Sequence, residues 1–81
     1  MRVLLFAQAR EVVGRGRIEV PVSDSVRSVT EILDAVTRSY PLLAEVLRHS
    51  RIVLNGAYVK SRSTPVHPGD ELAIHPPYSG G

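Results

Sequence analysis

The pattern of apolar and polar positions divides the chain into a few short elements. Residues 3–7 are continuously apolar, and a strand apolar on both faces belongs inside a sheet. Residues 8–13 then lead to Gly14, which predicts a helical turn or two closed by glycine. Residues 17–22 alternate, with Ile18, Val20 and Val22 on one side, and read as a second strand. Arg15-Gly16 supplies the turn before it. These two strands are close in sequence and are expected to pair as a wide hairpin.

Ser28-Val29-Thr30-Glu31 has the spacing of a capping box. The serine oxygen accepts from the amide three residues on, and the glutamate reaches back to the serine amide. Val29, Ile32, Leu33, Val36 and Tyr40 then recur at helical spacing, which predicts the one strongly amphipathic helix. Pro41 ends it. Leu42, Leu43, Val46 and Leu47 predict a second, short helix. Residues 51–54 read as a strand, Asn55-Gly56 as a tight hairpin turn, and residues 57–59 as its short partner. Residues 71–75 alternate with Leu72 and Ile74 inward, and form the last strand. Pro76-Pro77 stops the sheet, because proline cannot donate to a ladder.

Strands gathered around one main helix make an α+β, two-layer arrangement. At 81 residues the chain is one domain, with a body over residues 1–75 and a tail over 76–81. With 43% hydrophobic and 22% charged residues it has the composition of a soluble globular protein. The net charge is +2, with the basic residues scattered among eight acids, so no basic stripe addresses nucleic acid. No apolar run is long enough to span a membrane, and a cytoplasmic location is expected. The absence of cysteine excludes disulfides, thiolate metal sites and a cysteine nucleophile. His49, His67 and His75 lack metal-ligand spacing, so no metal site is expected. Gly14-Arg15-Gly16 lacks the lysine of a phosphate loop and reads as a turn. Arg15-Gly16-Arg17 and Lys60-Ser61-Arg62 read as solvated loops. One helix cannot cover both faces of the sheet, so an apolar partner-binding patch is expected around Leu4, Phe6 and Tyr58 and the base of the tail.

The last fourteen residues, ending His75-Pro76-Pro77-Tyr78-Ser79-Gly80-Gly81, resemble the end of the MoaD family of ubiquitin-like sulfur carriers, the small subunits of molybdopterin synthase. Residues 4–14, the Ser28-Val29-Thr30-Glu31-Ile32-Leu33 helix start and the Asn55-Gly56 hairpin resemble the same family. The resemblance implies a ubiquitin-like β-grasp, a mixed sheet of about five strands on one main helix. The first strand would lie parallel to the last at the centre, and the tail over 76–81 would be flexible. It also implies that the Gly81 carboxylate is the reactive group. An adenylyltransferase similar to ubiquitin-activating enzymes would use ATP and Mg²⁺ to activate it, and this chain would bind no cofactor itself. A sulfur-transfer protein would then leave a thiocarboxylate. The molybdopterin synthase large subunit would hold the cyclic pyranopterin precursor and supply the catalytic side chains in a heterotetramer. Gly80, Ser79, Tyr78, Pro77, Pro76, His75 and Phe6 are the expected tail and partner-binding residues. His75 stands where the resemblance leads one to expect a bulky apolar residue.

The tail suits such chemistry physically. Glycine has no Cβ, so its backbone can thread a narrow channel. Six extended residues reach about 20 Å, and two prolines stiffen the base. The same tail would serve a ubiquitin-like modifier joined through Gly81 to lysines, or a carrier for thiamine or cysteine synthesis. An inert β-grasp binding module is the remaining reading, in which deleting Gly81 changes nothing.

Overall fold

The computed structural model describes residues 1–77. Its elements run β1 (Arg2–Leu5), α1 (Ala7–Val13), β2 (Arg17–Glu19), α2 (Val29–Ser39), α3 (Leu43–Leu47), β3 (Arg51–Leu54), β4 (Ala57–Tyr58) and β5 (Glu71–His75). Among the described residues the strands form one five-stranded sheet in the order β2-β1-β5-β3-β4. β1 runs parallel to β5, with Val3 opposite Leu72 and Leu5 opposite Ile74. The other pairings, β1 with β2, β3 with β5 and β3 with β4, are antiparallel. This is the expected α+β architecture, with the most apolar strand beside the last one at the centre.

The core lies between the sheet and α2. Val3, Leu5, Leu72 and Ile74 project from the two central strands and are buried. Val29, Ile32, Leu33 and Val36 of α2 meet them, and Leu43, Val46 and Leu47 of α3 complete the layer. Each such side chain contributes about 1.5–3 kcal/mol on burial. Among the described residues no helix is long and apolar enough to cross a membrane.

Local chemistry fixes the element ends. The Ser28 hydroxyl accepts from the Glu31 amide at 3.3 Å and donates to Glu31 Oε1 at 2.9 Å. The Arg27 amide, not that of Ser28, donates to the same carboxylate oxygen at 3.3 Å. The hydroxyl already holds the carboxylate, which shifts the expected return bond back by one residue. Gly14, at φ 82°, closes α1 and donates to the Arg10 carbonyl at 2.8 Å. Asn55 (φ 50°) and Gly56 (φ 86°) are both left-handed, which suits a tight hairpin turn. The Asn55 side chain donates to Asp70 Oδ1 at 3.0 Å and accepts from the Glu71 amide at 2.9 Å, tying the hairpin to the start of β5. The Asn55 amide and the His67 backbone N–H hold the Asp70 carboxyl below its ordinary value.

Some details differ from the sequence expectation, among them the end of the short strand expected over 57–59, which is Ala57–Tyr58. β1 stops at Leu5, because Ala7 takes a left-handed φ of 48° and turns the chain into α1. β2 stops at Glu19 rather than residue 22. Val20 still donates to the Met1 carbonyl at 2.9 Å, but Pro21 has no N–H to carry the pairing on. Leu42 is 76% exposed. α3 buries Leu43, Val46 and Leu47 at spacings of three and four, and Leu42 falls off that stripe.

Candidate functional site

β5 carries the chain to His75, followed by a buried Pro76 and an exposed Pro77. Because β5 is paired on both sides, the point where the chain leaves the sheet is fixed by two ladders. Phe6 sits at the end of β1, beside that point. Its amide donates to the Ile74 carbonyl at 3.3 Å. Its ring stacks on the His75 imidazole, with centroids 4.4 Å apart and planes 10° from parallel. Phe6 is 41% exposed and His75 half-buried. The imidazole thus presents a flat face to an aromatic ring, which accounts for histidine where a bulky apolar residue was expected. The fold therefore gathers Phe6, His75, Pro76 and Pro77 at one place. Tyr78, Ser79, Gly80 and Gly81 lie outside the described residues.

The sheet face turned away from α2 continues from this place. Register sets Leu4 opposite Ala73, Ala73 opposite Val53, and Val53 opposite Tyr58. These four side chains form an apolar row across β1, β5, β3 and β4. Tyr58 is 64% exposed, and the Arg51 guanidinium lies 5.4 Å from its ring centroid. At the other end Arg2 and Glu71 form an exposed ion pair at 3.2 Å, a contact of small energetic worth. The expected patch around Leu4, Phe6 and Tyr58 is therefore present, and no core contact explains Tyr58.

Ala73, Val53 and Arg51 belong to the same face and were not foreseen. The available signal was the period of two. Once Leu72 and Ile74 point inward, residues 71, 73 and 75 must point outward. The apolar row can be buried on a partner beside the point where the chain leaves the sheet.

Comparison with known proteins places this geometry in context. The ThiS family model matches residues 3–81. The molybdopterin synthase sulfur carrier subunit of Chlamydomonas reinhardtii is 33% identical over 82 residues, covering 100% of this chain and 98% of that protein. The corresponding subunit of Arabidopsis thaliana is 37% identical over 81 residues, covering 100% of this chain and 82% of that protein. The crystal structure of the Haloferax volcanii small archaeal modifier protein 1 superposes with a TM-score of 0.84 at 30% identity, covering 96% of this chain and 97% of that one.

Proposed function

The chain belongs to the ThiS family, and we propose that it serves as the sulfur-carrier small subunit of a molybdopterin synthase. The observation that carries this reading is end-to-end similarity to subunits of that name, with the family match running through Gly81. The apolar row that ends in the exposed Tyr58 and the stacked Phe6–His75 pair support it, because a subunit needs a face to dock and a fixed origin for its tail.

In this reading the Gly81 carboxylate attacks the α-phosphate of ATP held by an adenylyltransferase. Pyrophosphate leaves, and an acyl-adenylate forms. Hydrosulfide released by a sulfur-transfer protein then adds to the carbonyl, AMP leaves, and Gly81 carries a thiocarboxylate. On the large subunit, that sulfur displaces an oxygen substituent from a side-chain carbon of the cyclic pyranopterin precursor, so that a C–S bond forms as the C–O bond breaks. The resulting acyl link is hydrolysed, which leaves sulfur on the pterin and returns the carboxylate. Two such deliveries build the dithiolene.

The test is the intact mass of the protein after incubation with its activating enzyme, ATP, Mg²⁺ and a sulfide source. The expected result is a gain equal to replacing one oxygen by sulfur, absent when Gly81 is deleted. No gain, with the activator working on a control carrier, would remove the reading.

The likeness to a small archaeal modifier protein favours a second reading, in which the activated Gly81 is passed to lysines of other proteins. Cell extract separates the two. A modifier gives higher-mass conjugates that resist reductant and hydroxylamine, whereas a carrier gives free protein in carboxylate and thiocarboxylate forms.

A further inference from the structure

A second surface lies on the far side of the molecule from β4. β2 is an edge of the sheet, and between it and α2 runs an open groove of about 610 Å³. Its apolar lining comes from Ile18 of β2, Val20 just beyond it, and Ala35 and Val36 of α2, set among the polar Arg15, Arg17, Glu19 and Ser39. Tyr40 also lines it.

The hydrogen-bond register shows what the free edge offers. Met1 and Val20 exchange both backbone bonds, and Leu5 donates to Gly16. Bonded pairs in an antiparallel ladder alternate, so Gly16, Ile18 and Val20 face β1. Arg17 and Glu19 therefore turn their N–H and C=O groups outward, along the groove. The spacing of two matches one face of an added strand.

Charge selects the occupant. Arg15 and Arg17 line the groove and are exposed. Among the described residues neither has an ion-pair partner. The one acid on this edge, Glu19, has its carboxylate 3.8 Å from the Met1 ammonium, so the edge keeps a positive surplus.

We propose that the β2–α2 groove binds an extended acidic segment of a partner protein by strand addition. Alternate apolar side chains of that segment enter the groove, and a carboxylate faces Arg15 and Arg17. The groove lies at the opposite sheet edge from Tyr58, so the segment would be held while the tail end is engaged elsewhere. Its purpose would be to retain the body on a partner between tail transfers.

The probe is a capped octapeptide with valine at alternate positions and two aspartates, titrated into the isotopically labelled full chain. The expected result is shifts at Arg17, Glu19 and Ala35, with slowed amide exchange at Arg17 and Glu19. Arg15→Glu/Arg17→Glu, verified as folded by its spectrum, should weaken binding at least tenfold, and a lysine-for-aspartate peptide should weaken it similarly. Shifts confined to Val53 and Ala73, affinity unchanged by charge reversal, or no binding at millimolar peptide would each overturn the proposal. The sulfur-exchange mass test does not depend on this groove, so the two ideas fail separately.

Discussion

Phe6 and His75 come from the ends of two parallel neighbouring strands and stack ring on ring, 4.4 Å apart and within 10° of coplanar. The pair marks the exit of the chain from the sheet, and it borders the apolar row on the outer face. Phe6→Ala should lower stability by only about 0.5–1.5 kcal/mol, since the ring is partly exposed and loses mainly its aromatic partner. Partner affinity should fall about tenfold or more, as for an aromatic anchor of a docking face. Urea unfolding and calorimetric titration with the large subunit separate the two effects. A larger loss in folding than in binding would show that the ring is merely structural.

Leu72 is fully buried on β5, beside Val3 of β1 and Leu54 of β3. Leu72→Ala should cost about 2–5 kcal/mol through lost burial and the cavity left behind. A domain of this size has little more than that in total, so the variant should melt far below the parent or fail to fold. Thermal unfolding by circular dichroism reads this directly.

The Ser28–Glu31 cap contains one hydroxyl that both accepts and donates. Ser28→Ala should destabilise by about 1 kcal/mol. Because Glu31 depends on the same hydroxyl, Ser28→Ala and Glu31→Ala should be non-additive in a double-mutant cycle. Additive losses in urea midpoints would mean that the two side chains act independently.

Gly56 sits at φ 86°, and a Cβ built there meets nothing within 4 Å. Any cost of Gly56→Ala is therefore backbone strain and not a clash, about 1–2 kcal/mol. Gly69 also has free space but no positive φ, so Gly69→Ala should be close to neutral. Chemical denaturation of the two variants side by side tests the distinction.

Asp70 is held below its ordinary carboxyl value of 3.8, chiefly by the Asn55 amide and next by the His67 backbone N–H. A depressed folded-state value means that the stabilisation is fully present above the unfolded value. It is lost as the pH falls through the lower folded value. Urea midpoints should drop on acidification below about pH 4 more steeply in the parent than in Asp70→Asn. Identical slopes would remove Asp70 from the acid response.

The parts of this fold carried by period and punctuation were legible in the chain. The apolar run of β1, the stripe of α2, the Asn55-Gly56 turn and the Pro76-Pro77 stop each depend on near neighbours. So did the outward placement of Tyr58, by the argument that one helix leaves a face open. What was hidden depends on contacts distant in sequence. His75 was marked as unusual, but its stack with Phe6 exists only because β1 and β5 lie parallel. Arg15-Gly16-Arg17 read as a solvated loop, since nothing local shows that α2 stands just far enough from β2 to leave a groove. Leu42 counted as apolar, and only the rotation of a five-residue helix turns it outward.

The parallel pairing of the first and last strands also has a mechanical consequence. A pull on the C-terminal end of β5 acts along the axis of that strand. β1 and β3 both grip that strand, so the load spreads over two ladders in shear instead of unzipping one bond at a time. The body can then be pulled by its C-terminal end and stay folded.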